Sequence, residues 1–171
     1  PVTFPHRYED NPTYPFYPGH KSAEYGEGIF VGYRYYDKVG RDVLFPFGHG
    51  LTYSTFEIAN LKAEVSASGP VVELTLDLTN TGAAEAAETV QIYLEDRATQ
   101  EAMPPRQLRA FRKVALKPGE TSRLAFTLSR ADIAWFDQQG GGWSVTPGRY
   151  VAHAGFSSRD LRASAGFEIV S

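Results

Sequence analysis

The chain has 171 residues, 22% of them charged, a formal net charge of −3 and no cysteine. This length suits one domain, or one domain with an attachment, and a chain of about 150 residues hides roughly 70% of its unfolded surface. The missing cysteines exclude a disulfide scaffold, a Cys-ligated zinc site and a cysteine nucleophile; the charge argues against a dedicated nucleic-acid binder, and no run of about 18 apolar residues offers a membrane-spanning helix.

Residues 1–56 hold 14 of the 23 aromatic residues and 6 of the 11 prolines. The opening, Pro1-Val2-Thr3-Phe4-Pro5, carries no signal-peptide pattern and reads as the middle of a protein. Residues 5–28 read as extended loop that must lie on something else, because many aromatics with few periodic apolar positions make no core of their own. Over 28–37, Ile29, Tyr33 and Tyr36 share a helix face, while Ile29, Val31, Tyr33 and Tyr35 alternate as a strand would; the helix is the first expectation. Phe45 to Leu51 reads as a rigid turn flanked by glycine and anchored by aromatics.

Past a boundary near Phe56-Glu57 the pattern becomes strand-like. Val72, Leu74, Leu76 and Leu78 alternate with polar residues, and Asn80-Thr81-Gly82 marks a turn. Val90, Ile92 and Leu94 alternate next. Leu108 to Leu116 forms another run, ended by Lys117-Pro118-Gly119-Glu120; Leu124, Phe126 and Leu128 follow. Ser129, with Asp132 three residues on, predicts a capped helical turn through Ala134. Gly140-Gly141-Gly142 predicts the tip of a hairpin between Trp135-Phe136-Asp137 and Trp143-Ser144-Val145. Arg149 to Gly155 and Phe167 to Val170 close the series. Short strands between turn signals predict a mainly β fold: an antiparallel sandwich of immunoglobulin or fibronectin III-like type over 57–171.

One ordered series of motifs carries a resemblance. Tyr25-Gly26-Glu27-Gly28-Ile29-Phe30-Val31-Gly32-Tyr33-Arg34-Tyr35-Tyr36-Asp37 and Leu44-Phe45-Pro46-Phe47-Gly48-His49-Gly50-Leu51-Thr52-Tyr53-Ser54-Thr55-Phe56 closely resemble the C-terminal part of family-3 glycoside hydrolases of the β-glucosidase type. Pro1 to Pro5 resembles a strand end in that family's α/β sandwich domain, and Glu9-Asp10-Asn11-Pro12 a loop of one subgroup. Asn80-Thr81-Gly82, Val90-Gln91-Ile92-Tyr93, the run Arg106 to Val114, Pro118-Gly119-Glu120 and the run Gly155 to Asp160 are similar to motifs of its fibronectin type III-like domain. Ala83 to Glu88 departs from the pattern by replacing a glycine-containing turn.

The resemblance implies that 1–56 is the tail of an α/β sandwich domain with its linker, and that 57–171 is the fibronectin type III-like sandwich. It also implies a parent enzyme that hydrolyses β-glucosides with retention, through an Asp nucleophile on a barrel and a Glu acid/base on the α/β domain. Both carboxylates are expected outside this chain, so no catalytic, cofactor-binding or metal-binding residue is assigned here. The expected partners are the barrel and α/β domains of the same enzyme, with neither nucleic acid nor membrane. A carbohydrate-binding or protein-interaction sandwich is the alternative.

Several residues invite a catalytic reading. Glu24 and Glu27, three apart, are expected to be solvated or helix-capping rather than an acid/base pair. Asp37 and Asp42 complete the acidic candidates. His49, between two glycines, is expected to be a buried or half-buried imidazole bonding backbone. His6, His20, His49 and His153 lack metal-ligand spacing. Arg34 among tyrosines is expected to pair with or stack on groups of the α/β domain. The tyrosine cluster is expected to pack a junction between domains, and Trp135 and Trp143 to pack the core. Without the partner domain, residues 1–56 are expected to be disordered while 57–171 stays folded.

Overall fold

The computed structural model describes all residues except 1, 18, 20, 23, 67–70, 98, 100–102 and 171. Eleven strands and two α-helices are found among the described residues: β1 (Phe4–Pro5), α1 (Tyr33–Val39), β2 (Val43–Phe45), β3 (Phe56–Val65), β4 (Val72–Asn80), β5 (Ala86–Asp96), β6 (Gln107–Leu116), β7 (Thr121–Leu128), α2 (Arg130–Ile133), β8 (Trp135–Asp137), β9 (Gly142–Ser144), β10 (Gly148–Gly155) and β11 (Leu161–Ile169).

The last nine strands make a two-layer sandwich and a small hairpin. One sheet has the order β3-β4-β7, the other β11-β10-β5-β6, and β8 pairs with β9. Neighbouring strands of both sheets run antiparallel. The alternation in the sequence places the core. Val72, Leu74, Leu76 and Leu78 of β4 are at most 1% exposed. They meet Val90, Ile92 and Leu94 of β5, Leu124, Phe126 and Leu128 of β7, and Tyr150, Ala152 and Ala154 of β10. Each such side chain contributes roughly 1.5–3 kcal/mol for the larger aliphatics when taken out of water. Ser129 caps α2 as expected: its hydroxyl accepts from the Asp132 amide, and the Asp132 carboxylate accepts from the Ser129 amide at 2.8 Å.

Several elements differ from the sequence reading. β3 is a ten-residue strand where none is expected. Its inward side chains change phase, with Phe56 and Ile58 before Asn60 and Leu61, Ala63 and Val65 after it. The cause is a register shift between Ala59 and Lys62, with Asn60 in the left-handed region at φ 55°. A bulge shifts the two-residue period and so hides a strand from pattern reading. The helix expected over 28–37 begins only at Tyr33, because Gly32 at φ 59° breaks the helical path, and it runs on to Val39. Ile29 therefore lies outside it and is exposed. The stretch expected as loop over 5–28 contains two short 3-10 turns, Tyr8–Asp10 and Tyr14–Phe16. Phe45 belongs to β2, which pairs with β1.

Candidate functional site

The strongest concentration of buried polar contacts lies where residues 33–48 meet the sandwich. It starts from β5, whose residues 90–94 are all buried. Val90, Ile92 and Leu94 fill the core, so Gln91 and Tyr93 point to the opposite face of the sheet. That face is covered by α1 and the turn after β2. Tyr33 stacks on Phe47 with centroids 4.7 Å apart and meets Tyr93 edge-on at 6.0 Å. Its hydroxyl accepts a hydrogen bond from the Leu108 amide at 2.8 Å, satisfying a backbone donor of the sheet's edge strand β6.

Gln91 ties three segments together. Its amide nitrogen donates to the carbonyls of Gly48 (3.1 Å) and Phe156 (2.6 Å), and its carbonyl accepts from the Tyr93 hydroxyl at 2.6 Å. Gly48 is required there twice over: its φ is +81°, and a Cβ would lie 2.2 Å from Gln91 Oε1. The Ser158 amide adds a bond to the Phe47 carbonyl at 2.9 Å. Burial pushes the phenols of Tyr36 and Tyr93 up from their ordinary value.

Beside this layer lies an ion cluster. The Asp37 side chain is only 4% exposed, with Arg159 Nε at 3.1 Å from one oxygen and Arg106 Nη2 at 3.9 Å from the other. Arg159 also donates to the Arg41 carbonyl at 2.6 Å and approaches the exposed Asp42 at 3.9 Å. Burial raises the Asp37 carboxyl above the usual carboxylate range, against the opposing pull of Arg159 and Arg106. A buried carboxylate held between two arginines acts as a structural tie: its negative charge offsets theirs at the junction.

The other residues singled out in the sequence lie elsewhere. Glu24 and Glu27 border an open groove of about 510 Å³ lined by Tyr14, Phe16 and Tyr25 among others. His49 is exposed rather than buried; its ring stacks on Phe45 at 5.2 Å, and it is its backbone amide that bonds the Pro46 carbonyl. His153 pairs through Nε2 with Glu95 at 2.8 Å. His6 is exposed, and His20 lies outside the described residues. Among the described residues no three His, Asp or Glu side chains form a metal-binding group. Trp135 is partly buried and donates from Nε1 to Thr146 at 2.9 Å. Trp143 is 71% exposed, against the core role expected for it, because β9 presents it on the outer face of the hairpin, edge-on to Phe136 at 5.8 Å. Gln91 was not singled out, since a glutamine in an alternating strand reads as solvent-facing.

The chain is similar to known proteins over nearly its whole length. The family model for the fibronectin type III-like domain matches residues 88–158. The probable beta-glucosidase K of Emericella nidulans is 40% identical over 172 residues, covering 99% of this chain and 20% of that protein. An exo-alpha-(1->6)-L-arabinopyranosidase of Bifidobacterium longum is 39% identical over 153 residues, covering 89% of this chain and 20% of that protein. The crystal structure of a GH3 beta-glucosidase from Bifidobacterium adolescentis superposes with a TM-score of 0.93 at 38% identity, over 98% of this chain and 25% of that one. The chain thus spans about a fifth to a quarter of the length of the relatives it matches. It belongs to the family-3 glycoside hydrolases of the β-glucosidase type, as a C-terminal part with a fibronectin type III-like domain.

Proposed function

We propose that the chain is the structural C-terminal portion of a retaining β-glucosidase-type hydrolase, with 1–56 as the tail of an α/β domain and 57–171 as the sandwich that buttresses it. The observation that carries this reading is the apolar surface left open on residues 1–56. Tyr17, Tyr25, Leu51 and Tyr53 are 71–99% exposed, and Val2, Phe4 and Tyr8 are more than half exposed. So much exposed apolar surface marks an interface, here with the rest of the same polypeptide. In this reading the two carboxylates, about 5–5.5 Å apart across the glycosidic bond, belong to those other domains. The relatives named above act on different sugars while sharing this stretch, which supports a role in holding the domains together rather than in choosing the sugar.

The test is cleavage of an aryl β-glucoside. The 171-residue chain alone is expected to be inactive, and the full-length parent active. Appreciable turnover by the chain alone overturns the division of labour. A second reading, a carbohydrate-binding sandwich, is favoured by the exposed Phe136–Trp143 pair. Titration with cello-oligosaccharides, following Trp143 fluorescence, tests it; saturable quenching supports binding.

A further inference from the structure

Arg34 and Arg109 stand apart from the other arginines around the junction. Arg41, Arg97, Arg106, Arg159 and Arg162 each face a carboxylate. The side chains of Arg34 and Arg109 make no ion pair or hydrogen bond among the described residues, and Arg109 Nε is buried without an acceptor. The fold joins the residues that precede them. Arg34 follows Tyr33 on α1, and Arg109 follows Leu108 on β6, where the Leu108 amide is bonded to the Tyr33 hydroxyl at 2.8 Å.

Arg109 is also the extra residue of a bulge. Ile92 is opposite Ala110 and Tyr93 opposite Leu108, which leaves Arg109 without a partner on β5. Bulges on edge strands re-aim a side chain away from the regular pleat. Burial, and after it the Arg34 guanidinium, holds Arg109 below the usual guanidinium range. The carboxylates in its field are already engaged: Asp132 caps α2 through Ser129, and Asp96 bonds Thr99. Glu27 borders the same groove as Arg34 but makes no ion pair with it. Two like charges, one with a buried unpaired donor, are costly unless an anion completes them.

We propose that Arg34 and Arg109 together receive a carboxylate side chain from the part of the parent polypeptide outside these 171 residues, latching α1 and the edge strand β6 to the neighbouring domain. The inference rests on the structural role proposed above. Guanidinium forks suit a planar carboxylate, which accepts two bonds from one and further bonds from the other. Relatives in which this stretch is about a fifth of the length supply the remaining chain as the source.

The test compares the full-length parent with the 171-residue chain, reading hydrogen exchange of the α1 amides in Arg34→Gln, Arg109→Gln and Arg34→Glu. In the parent, each Gln variant is expected to lower α1 protection about 10-fold or more, as loss of a charge-assisted contact does. In the 171-residue chain the same Gln variants are expected to leave protection unchanged or raise it, because a like-charge contact is relieved. Arg34→Glu is expected to raise protection in the 171-residue chain by pairing with Arg109, and to lower it in the parent. Loss of protection in both settings assigns the arginines to packing within the chain and overturns the proposal; so does unchanged protection in the parent. The readout is α1 protection, so failure of the latch is distinct from failure of the glycosidase assay that tests the functional reading.

Discussion

Arg159 donates from Nε to Asp37 at 3.1 Å across 122 residues of sequence, joining the helix of the N-terminal segment to the loop between β10 and β11. The pair is asymmetric: the Asp37 side chain is 4% exposed and that of Arg159 is 29%. Removing the carboxylate leaves Arg106 without its counter-charge and Arg159 with only the Arg41 carbonyl and the exposed Asp42. Asp37→Ala is therefore expected to destabilise by about 3 kcal/mol, the low end of the buried-pair range because both arginines keep some water. Denaturant unfolding of the chain measures it. Because burial raises the Asp37 pKa, the folded state binds its proton more tightly than the unfolded state does. The pH-dependent part of its contribution thus grows on acidification and falls as pH rises through the raised value. The gap between wild type and Asp37→Ala is expected to widen as pH falls toward the ordinary carboxylate range; a gap that narrows contradicts the assignment.

Glu95 responds in the opposite direction. Burial raises its pKa, but hydrogen bonds from Arg97 and His153, both at 2.8 Å, outweigh that and leave it below its ordinary value. The unfolded state now binds the proton more tightly, so this contribution is complete above the ordinary carboxylate value and is lost as pH falls through the depressed one. The gap between wild type and Glu95→Gln is expected to narrow on acidification. Urea titrations of the two variants across the same pH series give opposite slopes if both ion clusters are as described.

Gln91→Leu keeps volume but deletes all three bonds of the hub. The carbonyls of Gly48 and Phe156 and the Tyr93 hydroxyl lose their partner in a site where Gln91 itself is 5% exposed. Unsatisfied buried groups cost about 1–3 kcal/mol each, so a loss of roughly 2–4 kcal/mol is expected once water reaches some of them. Faster hydrogen exchange at His49 and Ser158, whose amides bond Pro46 and Phe47, is the local signature.

The division between what the sequence made legible and what it hid follows the number of faces a strand buries. β4 has one buried face, and Val72, Leu74, Leu76 and Leu78 announce it by simple alternation. β5 buries both faces, and its second face carries Gln91 and Tyr93, which alternation assigns to solvent. Distant segments explain them: Gly48, 43 residues upstream of Gln91, Phe156, 65 residues downstream of it, and Tyr33 against Tyr93. β3 is hidden by the bulge at Asn60, which flips the phase of its apolar residues. Asp37 stood out as a carboxylate within an aromatic motif, but the partner that gives it a role, Arg159, lies 122 residues further along the chain. The resemblance motifs proved readable as a set because they meet: the turn of Phe45 to Leu51, Val90 to Tyr93, the start of β6 and Gly155 to Asp160 share one junction.

The two tryptophans of the hairpin separate packing from display. Trp135 is partly buried and bonded to Thr146, whereas Trp143 is 71% exposed. Trp143→Ala is expected to change stability by less than about 1 kcal/mol, as exposed substitutions do, and Trp135→Ala to cost about 3 kcal/mol from lost burial and an orphaned hydroxyl partner. Thermal unfolding of both variants checks the order; a reversed order places Trp143 in the core after all.

Hydrogen exchange on the 171-residue chain probes how far the N-terminal segment depends on a neighbour. Disorder throughout 1–56 is the expectation from aromatic content alone. The structure divides the segment. Tyr33, Asp37, Phe47 and Gly48 are fixed to the sandwich by stacking, ion pairs and hydrogen bonds. Upstream of these residues, the short 3-10 turns Tyr8–Asp10 and Tyr14–Phe16 and the pairing of Arg41 with Asp10 at 3.3 Å leave Tyr8, Tyr17 and Tyr25 exposed. Local opening follows the density of buried contacts. Amides of α1 and of the turn after β2 are therefore expected to exchange at least about 10-fold more slowly than those of residues 6–28, a difference near 1.4 kcal/mol in opening free energy. Uniformly fast exchange through 1–56 would show that the junction needs the neighbouring domain to form, and uniformly slow exchange that it needs no neighbour.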